Sequence, residues 1–173
     1  MATPLPGDVL LCYAPSLIGA AIDEVEALGL LREYKKPPPH RPLYSHAALY
    51  LGDNQITEAI GRGLVKSGAD KYTGVADIWS RDLSYAQRET IVQRAKAMAR
   101  VGYRYNYLDI AVQFVYLTTG LMLPADFDHS IICSVAVYDE WQAIKVPVAR
   151  HRNCAPESLA TFGALEWRGI FAG

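Results

Sequence analysis

The sequence predicts an α+β fold, in which a small antiparallel sheet packs against helices within one domain, residues 1–173. The turn cluster Gly52-Asp53-Asn54 separates two segments of alternating apolar residues, 44–51 and 55–60, and this pattern indicates a β-hairpin. Segment 86–100 is rich in the good helix formers Ala, Gln, Arg and Lys, and another helical stripe follows Cys133. A chain of 173 residues is long enough to bury one hydrophobic core.

The first half of the chain contains further elements on either side of the hairpin. Residues 8–13 include Val9-Leu10-Leu11-Cys12, which predicts a short buried strand. Apolar residues at helical spacing predict an amphipathic helix over 17–31. The segment 37–42 begins with three consecutive prolines, and we expect an extended connector there. The sequence does not show whether this connector gates a functional site. A further short strand is predicted at 63–66.

The second half of the chain is predicted to be mainly helical. Ser84 is a suitable N-cap for the helix at 86–100. Segment 107–123 is almost entirely apolar, but Asp109 and Gln113 favour a buried helix over a membrane span. The helix after Cys133 carries Val137, Trp141 and Ile144 on one stripe and is expected to end at Pro147, while 154–159 resembles a helix start with proline in its first turn.

Composition and charge exclude several classes of function. The formal net charge is −1, and the longest basic run is Lys35-Lys36, so nucleic acid is not expected as a partner. Met1–Asp8 lacks the features of a secretory signal, and we therefore expect a cytoplasmic protein with no transmembrane segment. The composition does not predict an oligomeric state.

No cofactor or metal ion is expected either. The three cysteines cannot all pair within one chain, and they lack the spacing of a zinc site. Asp126, Asp128 and His129 are a weak alternative as metal ligands, because no second histidine stands at a suitable spacing.

Cys133 is the strongest candidate nucleophile. A thiol attacks as the thiolate, which a neighbouring base and the positive end of a helix dipole both favour. Cys133 follows the apolar pair Ile131-Ile132 at the predicted helix start, where backbone N–H groups could also hold an oxyanion. The competing interpretation is a buried core cysteine. Cys12 and Cys154 are better explained by packing, and His40 and His151 are weak candidates for a base.

His46 and Glu58 lie on the two strands of the predicted hairpin, and their spacing leaves two geometries open. If Gly52-Asp53-Asn54 forms a three-residue loop, Ala48 pairs with Glu58, and Glu58 faces the same side as His46. If only Asp53-Asn54 turn, the two side chains face opposite sides. The first geometry would let the carboxylate orient the imidazole as a general base, whereas a solvated Glu58 is the alternative.

Five motifs together resemble a known family. They are Pro6-Gly7-Asp8-Val9-Leu10, the run from Ser45 to Asp53, Thr57-Glu58-Ala59, Ile131-Ile132-Cys133-Ser134 and Ala155-Pro156-Glu157-Ser158-Leu159. Their order resembles the circularly permuted branch of the NlpC-type papain-like cysteine hydrolases, which includes the YiiX and YaeF-like proteins and is distantly related to lecithin:retinol acyltransferase. The histidine strand precedes the cysteine helix, as it does in that branch.

The resemblance implies a papain-like fold and a Cys133–His46–Glu58 triad. Cys133 would be the nucleophile, His46 the general base and then acid, and Glu58 the orienting member. Gly102-Tyr103-Arg104-Tyr105 resembles the family segment whose tyrosine donates to the oxyanion or the thiol, which makes Tyr105 the candidate and Tyr107 the second choice.

The activity implied by the resemblance is hydrolysis of an amide bond in a peptide or acyl-amide substrate, such as a cell-wall or γ-glutamyl peptide. The apolar segment 107–123 could instead line an acyl site, which leaves a lipid acyltransferase or thioesterase as an alternative with a lipid-like substrate. A non-catalytic binding module is the third possibility. The chain departs from the family pattern in that segment and in its proline-rich insertion before Tyr44.

Overall fold

A computed structural model describes residues 2–13, 44–105, 115, 130–152 and 154–173. Its strands are β1 (Val9–Cys12), β2 (His46–Gly52), β3 (Gln55–Ile60), β4 (Gly63–Gly68), β5 (Ala76–Ser80), β6 (Arg104–Tyr105), β7 (Ser130–Ile131) and β8 (Glu166–Ile170). Its α-helices are α1 (Tyr85–Val101), α2 (Cys133–Trp141) and α3 (Pro156–Thr161), and short 3₁₀ turns occupy Asp70–Tyr72 and Gln142–Ile144.

The fold is α+β, built on a six-stranded sheet. The strand order is β4-β3-β2-β1-β5-β8, and every neighbouring pair is antiparallel. Strands β6 and β7 form a separate parallel pair. The predicted strands at 8–13, 44–51, 55–60 and 63–66 are confirmed, as are the helices at 86–100 and after Cys133. The predicted helices at 17–31 and 107–123 and the connector at 37–42 lie outside the described residues, apart from the helical Val115.

The centre of the sheet is buried on both faces. Val9, Leu11 and Leu49 point to the face that packs with α1 and α2, in the larger apolar cluster. Leu10 and Ala48 alternate with them and contribute to a second cluster on the other face. This two-sided burial explains why β1 is a continuous apolar run rather than an alternating one.

Helix α1 begins with a complete capping box. Ser84 Oγ accepts a hydrogen bond from Gln87 N at 3.3 Å, and Gln87 Oε1 accepts one from Ser84 N at 3.0 Å. These two bonds satisfy backbone donors that the first turn of a helix leaves unpaired, so the predicted cap is confirmed.

Helix α2 starts at Cys133 and places Val135, Val137 and Trp141 in the core. It ends earlier than the sequence suggests. The α-helix gives way to a 3₁₀ turn after Trp141, and Lys145 adopts a left-handed conformation with φ of 57°. The helix therefore stops before Pro147, because the left-handed conformation of Lys145 cannot continue a right-handed helix.

Candidate active site

The β2–β3 hairpin combines the two turn geometries that the sequence presented as alternatives. Asp53 and Asn54 both have positive φ, 49° and 55°, as a two-residue type I′ turn requires. The register nevertheless pairs Ala48 with Glu58, because an irregularity between Tyr50 and Gly52 inserts an extra residue into β2. The bulge therefore gives the two strands the register expected for a three-residue loop, in which Glu58 faces the same side as His46.

This register brings His46 and Glu58 together on one face of the sheet. His46 Nε2 lies 3.1 Å from Glu58 Oε2, which is the contact that the first of the two hairpin geometries allows. Because a carboxylate only accepts hydrogen bonds, Nε2 must carry a proton and donate it. The other ring nitrogen, Nδ1, is then left to exchange a proton with a thiol.

Glu58 is a buried carboxylate held by four donors. Oε2 accepts hydrogen bonds from His46 and from the Tyr72 hydroxyl at 2.7 Å, and Oε1 accepts them from Ser67 and Lys71. Burial alone would raise the pKa of Glu58, but these hydrogen bonds outweigh it and hold the pKa well below its usual range. Glu58 is therefore ionised and fixed in position at neutral pH.

Cys133 is the first residue of α2 and is nearly buried. Its side chain hydrogen-bonds with His46, and the backbone N–H groups of Ala47 and Ser134 donate to its sulfur. The first N–H to bond within the helix is that of Ala136, to the Ile132 carbonyl at 2.9 Å. The N–H groups of the preceding turn therefore lie ahead of the helical ladder, at its positive end.

The thiol of Cys133 and the imidazole of His46 shift each other's pKa in opposite directions. Burial would raise the pKa of Cys133, but the charge and hydrogen bond of His46 lower it. Burial would lower the pKa of His46, but the Cys133 thiolate and the Glu58 carboxylate raise it to about 9. Each group therefore shifts the other towards its charged form, and the thiolate–imidazolium pair is the reactive form of a Cys–His pair.

Cys12 is a useful contrast to Cys133. It lies opposite His46 in the β1–β2 register and is fully buried. Burial, and then the charge of Glu58, raise its pKa well above the usual value, so this thiol stays protonated. Cys154 is also buried, with its sulfur facing the Ser134 carbonyl. Both cysteines occupy the packing positions that the sequence suggested.

Three residues of the site were missed from the sequence. Tyr72 donates to Glu58, and its ring centroid lies 5.7 Å from that of His46. Lys71 precedes it on a 3₁₀ turn, which no periodic pattern indicates. Ser67 could have been found by parity, because Ile56 pairs with Ser67 in β4 and this places Ser67 diagonally across from Glu58.

Tyr105 lies on a strand that pairs with the segment just before Cys133. Tyr105 pairs with Ile131 between the parallel strands β6 and β7, two residues before Cys133. Its role as a donor to the oxyanion or the thiol stays a prediction. Tyr107 lies outside the described residues, as do His40, Asp126, Asp128 and His129.

Within the described ranges, no group of three or more His, Cys, Asp or Glu side chains could hold a metal ion. In the same part of the chain, no helix is both long enough and apolar enough to cross a membrane. In comparisons with known proteins, no family model matches this chain, and no curated protein matches it at a significant level.

Proposed function

We propose that this protein is a papain-like cysteine hydrolase that cleaves an amide bond through a Cys133–His46–Glu58 triad. One observation carries this proposal. The thiol of Cys133, at the start of α2, contacts the imidazole of His46, and this imidazole lies 3.1 Å from the carboxylate of Glu58. The α+β sheet packed against the helix of Cys133 is the arrangement that the family resemblance implies.

The reaction would proceed in two acyl-transfer steps. The Cys133 thiolate attacks the carbonyl carbon of the substrate, and backbone N–H groups in the first turn of α2 stabilise the resulting oxyanion. The His46 imidazolium gives its proton to the leaving amine as the C–N bond breaks, which leaves an acyl-thioester on Cys133. His46, now neutral, then accepts a proton from water, which hydrolyses the thioester and regenerates the ion pair.

Glu58 would act by holding the imidazole rather than by transferring a proton. Its contact with Nε2 leaves Nδ1 directed to the sulfur and stabilises the charged ring. Because three further donors fix the carboxylate, the imidazole is oriented before substrate binds. Such preorganisation lowers the cost of reaching the reactive geometry.

Labelling with iodoacetamide at pH 7, followed by peptide mass spectrometry, tests the thiol chemistry. We expect Cys133 to react much faster than a free cysteine, and Cys12 and Cys154 serve as internal controls because both are buried. In His46→Ala the rate at Cys133 should fall about tenfold or more, since the thiolate loses its counter-ion. Labelling of Cys133 that is no faster than that of free cysteine, or is unchanged in His46→Ala, would favour a binding module.

A substrate panel tests the bond that is cleaved. Peptides with ordinary and γ-glutamyl amide bonds should be hydrolysed by the native protein and not by Cys133→Ala, whereas Cys154→Ser should retain activity. Turnover of acyl esters or thioesters in place of every peptide would instead support the lipid acyltransferase or thioesterase alternative.

A further inference from the structure

A cavity of about 380 Å³ lies on the other face of the sheet from Glu58, between the sheet and helix α1. Its wall carries three cationic side chains, one from β4 and two from α1. The residues that line it are Leu51, Thr57, Lys66, Lys96, Ala99 and Arg100. The Thr57 hydroxyl donates to Glu140, and no acidic residue among those that the structure describes lines this cavity.

The three cations have no ionic partner within the described part of the chain. The basic residues in the ion pairs there are His46, Lys71, Arg88, Arg152 and Arg168, and none of these pairs involves Lys66, Lys96 or Arg100. Three like charges around one cavity favour the entry of an anion. Their placement on two separate elements, a strand and a helix, also lets them contact one ligand from two sides.

A second cavity, of about 390 Å³, adjoins the first and is mostly apolar. Leu51 and Lys96 line both, so the cavities meet at these two residues. Leu5, Pro6 and Val92 supply further apolar surface. Leu5 is 55 % exposed, and an exposed leucine at the rim of a groove adds apolar surface that a bound chain could cover.

Arg88 and Glu89, the other two charged residues that line the apolar cavity, do not neutralise the positive charge at the cationic end. Arg88 is paired with Asp8 at 2.7 Å, and Glu89 accepts a hydrogen bond from Gln93. Glu89 stands seven residues before Lys96 on α1, which corresponds to about 10 Å along the helix. The groove is therefore cationic at one end and apolar along the other.

We infer that the two cavities form one binding site for a single-chain anionic amphiphile. Its phosphate or carboxylate group would lie between Lys66, Lys96 and Arg100, and its chain would cover Leu51 and extend towards Leu5. The site is separate from the proposed active site, because Leu51 and His46 stand five residues apart on β2, about 17 Å along the strand. The inference does not depend on the proposed hydrolase activity.

Calorimetric titration with three small probes, each below its micelle-forming concentration, tests whether the cationic part and the apolar part of the site both contribute to binding. Octyl phosphate presents both the anion and the chain, inorganic phosphate only the anion, and octyl glucoside only the chain. We expect octyl phosphate to bind at least tenfold more tightly than either of the others. Equal affinity for inorganic phosphate would overturn the role of the apolar cavity, and equal affinity for octyl glucoside would overturn the role of the cations.

Charge removal locates the anion. Lys66→Ala, Lys96→Ala and Arg100→Ala should each weaken octyl phosphate binding about tenfold, as expected for loss of a charge-assisted contact. Arg94→Ala is the matched control, because it removes an exposed cation from the same helix outside either cavity and should leave the affinity unchanged. Equal effects of Arg94→Ala and Arg100→Ala would overturn the assignment.

A second pair of variants locates the chain. Leu5→Ser should weaken octyl phosphate binding about threefold to tenfold, whereas Val75→Ser, which alters an exposed residue outside either cavity, should not. Sedimentation with vesicles of lysophosphatidic acid and phosphatidylcholine then separates two sources of the ligand. Arg100-dependent sedimentation assigns a membrane lipid, and octyl phosphate binding without sedimentation assigns a free ligand. Failure of both overturns the site.

Discussion

Thr57 and Glu140 join the strand that carries Glu58 to the helix that carries Cys133. Thr57 Oγ1 donates a hydrogen bond to Glu140 Oε1 at 2.8 Å, and Glu140 is fully buried. Its Oε2 atom has no hydrogen-bond partner among the described residues. Burial raises the pKa of Glu140 to about 8, which the Thr57 hydrogen bond only partly opposes, so the carboxyl group is largely neutral at pH 7.

Glu140 should make folding stability depend on pH. The pKa of about 8 lies above the usual value of about 4.3, so the folded protein retains a proton that the unfolded chain releases. This contribution is complete below about pH 4 and is lost as the pH rises through 8. In Glu140→Gln the decline of up to about 1.4 kcal/mol per pH unit should disappear from urea unfolding curves recorded between pH 5 and 9.

The control for this prediction is Glu89→Gln, which alters an exposed glutamate on α1. Its unfolding free energy should run parallel to that of the native protein across the same pH range. Parallel curves for Glu140→Gln as well would show that Glu140 does not hold its proton in the folded state.

The reactivity of Cys133 should report a lowered thiol pKa. The rate constant for alkylation by iodoacetamide should rise with pH through an apparent pKa below the usual 8.5, because His46 stabilises the thiolate. In His46→Ala only burial and the two backbone N–H donors remain, and the apparent pKa should move upward. An unchanged profile in that variant would remove His46 as the counter-ion.

Glu58→Gln should shift the alkaline side of the activity profile. The Glu58 carboxylate helps to raise the pKa of His46 to about 9, and activity should fall above that pH as the general acid loses its proton. With a neutral amide at position 58, the decrease in activity at alkaline pH should begin at a lower pH, and kcat/KM should fall about 100-fold. Glu166→Gln, which alters an exposed glutamate in β8, is the control and should keep the native profile.

Tyr72→Phe tests whether the donors to Glu58 matter individually. The substitution removes the hydroxyl 2.7 Å from Glu58 Oε2 but leaves the aromatic ring beside His46. We expect kcat/KM to fall about threefold to tenfold, in line with the loss of about 1 kcal/mol from one hydrogen bond. Tyr85→Phe is the matched control, since that side chain is 83 % exposed. Identical kinetics for Tyr72→Phe and the native protein would argue against a positioning role.

Several parts of the fold and site were predictable because their signals are local. The capping residues of α1, the apolar run of β1 and the turn at Asp53-Asn54 are each encoded within a few residues. The same holds for the helix that begins at Cys133. Strands β5 and β8 were not predicted. β8 is an edge strand whose residues are mostly exposed and lack clear alternation, whereas β5 is an interior strand that is buried over most of its length.

The sequence by itself determined the chemical groups, the elements that carry them and the two possible parities of the hairpin. Only the tertiary structure decided between those parities, because the bulge after Tyr50 depends on how β2 is paired rather than on the turn residues alone. It likewise revealed Ser67, Lys71 and Tyr72 around Glu58. Such contacts bring together separate elements, and their hydrogen bonds form only once the sheet register is fixed.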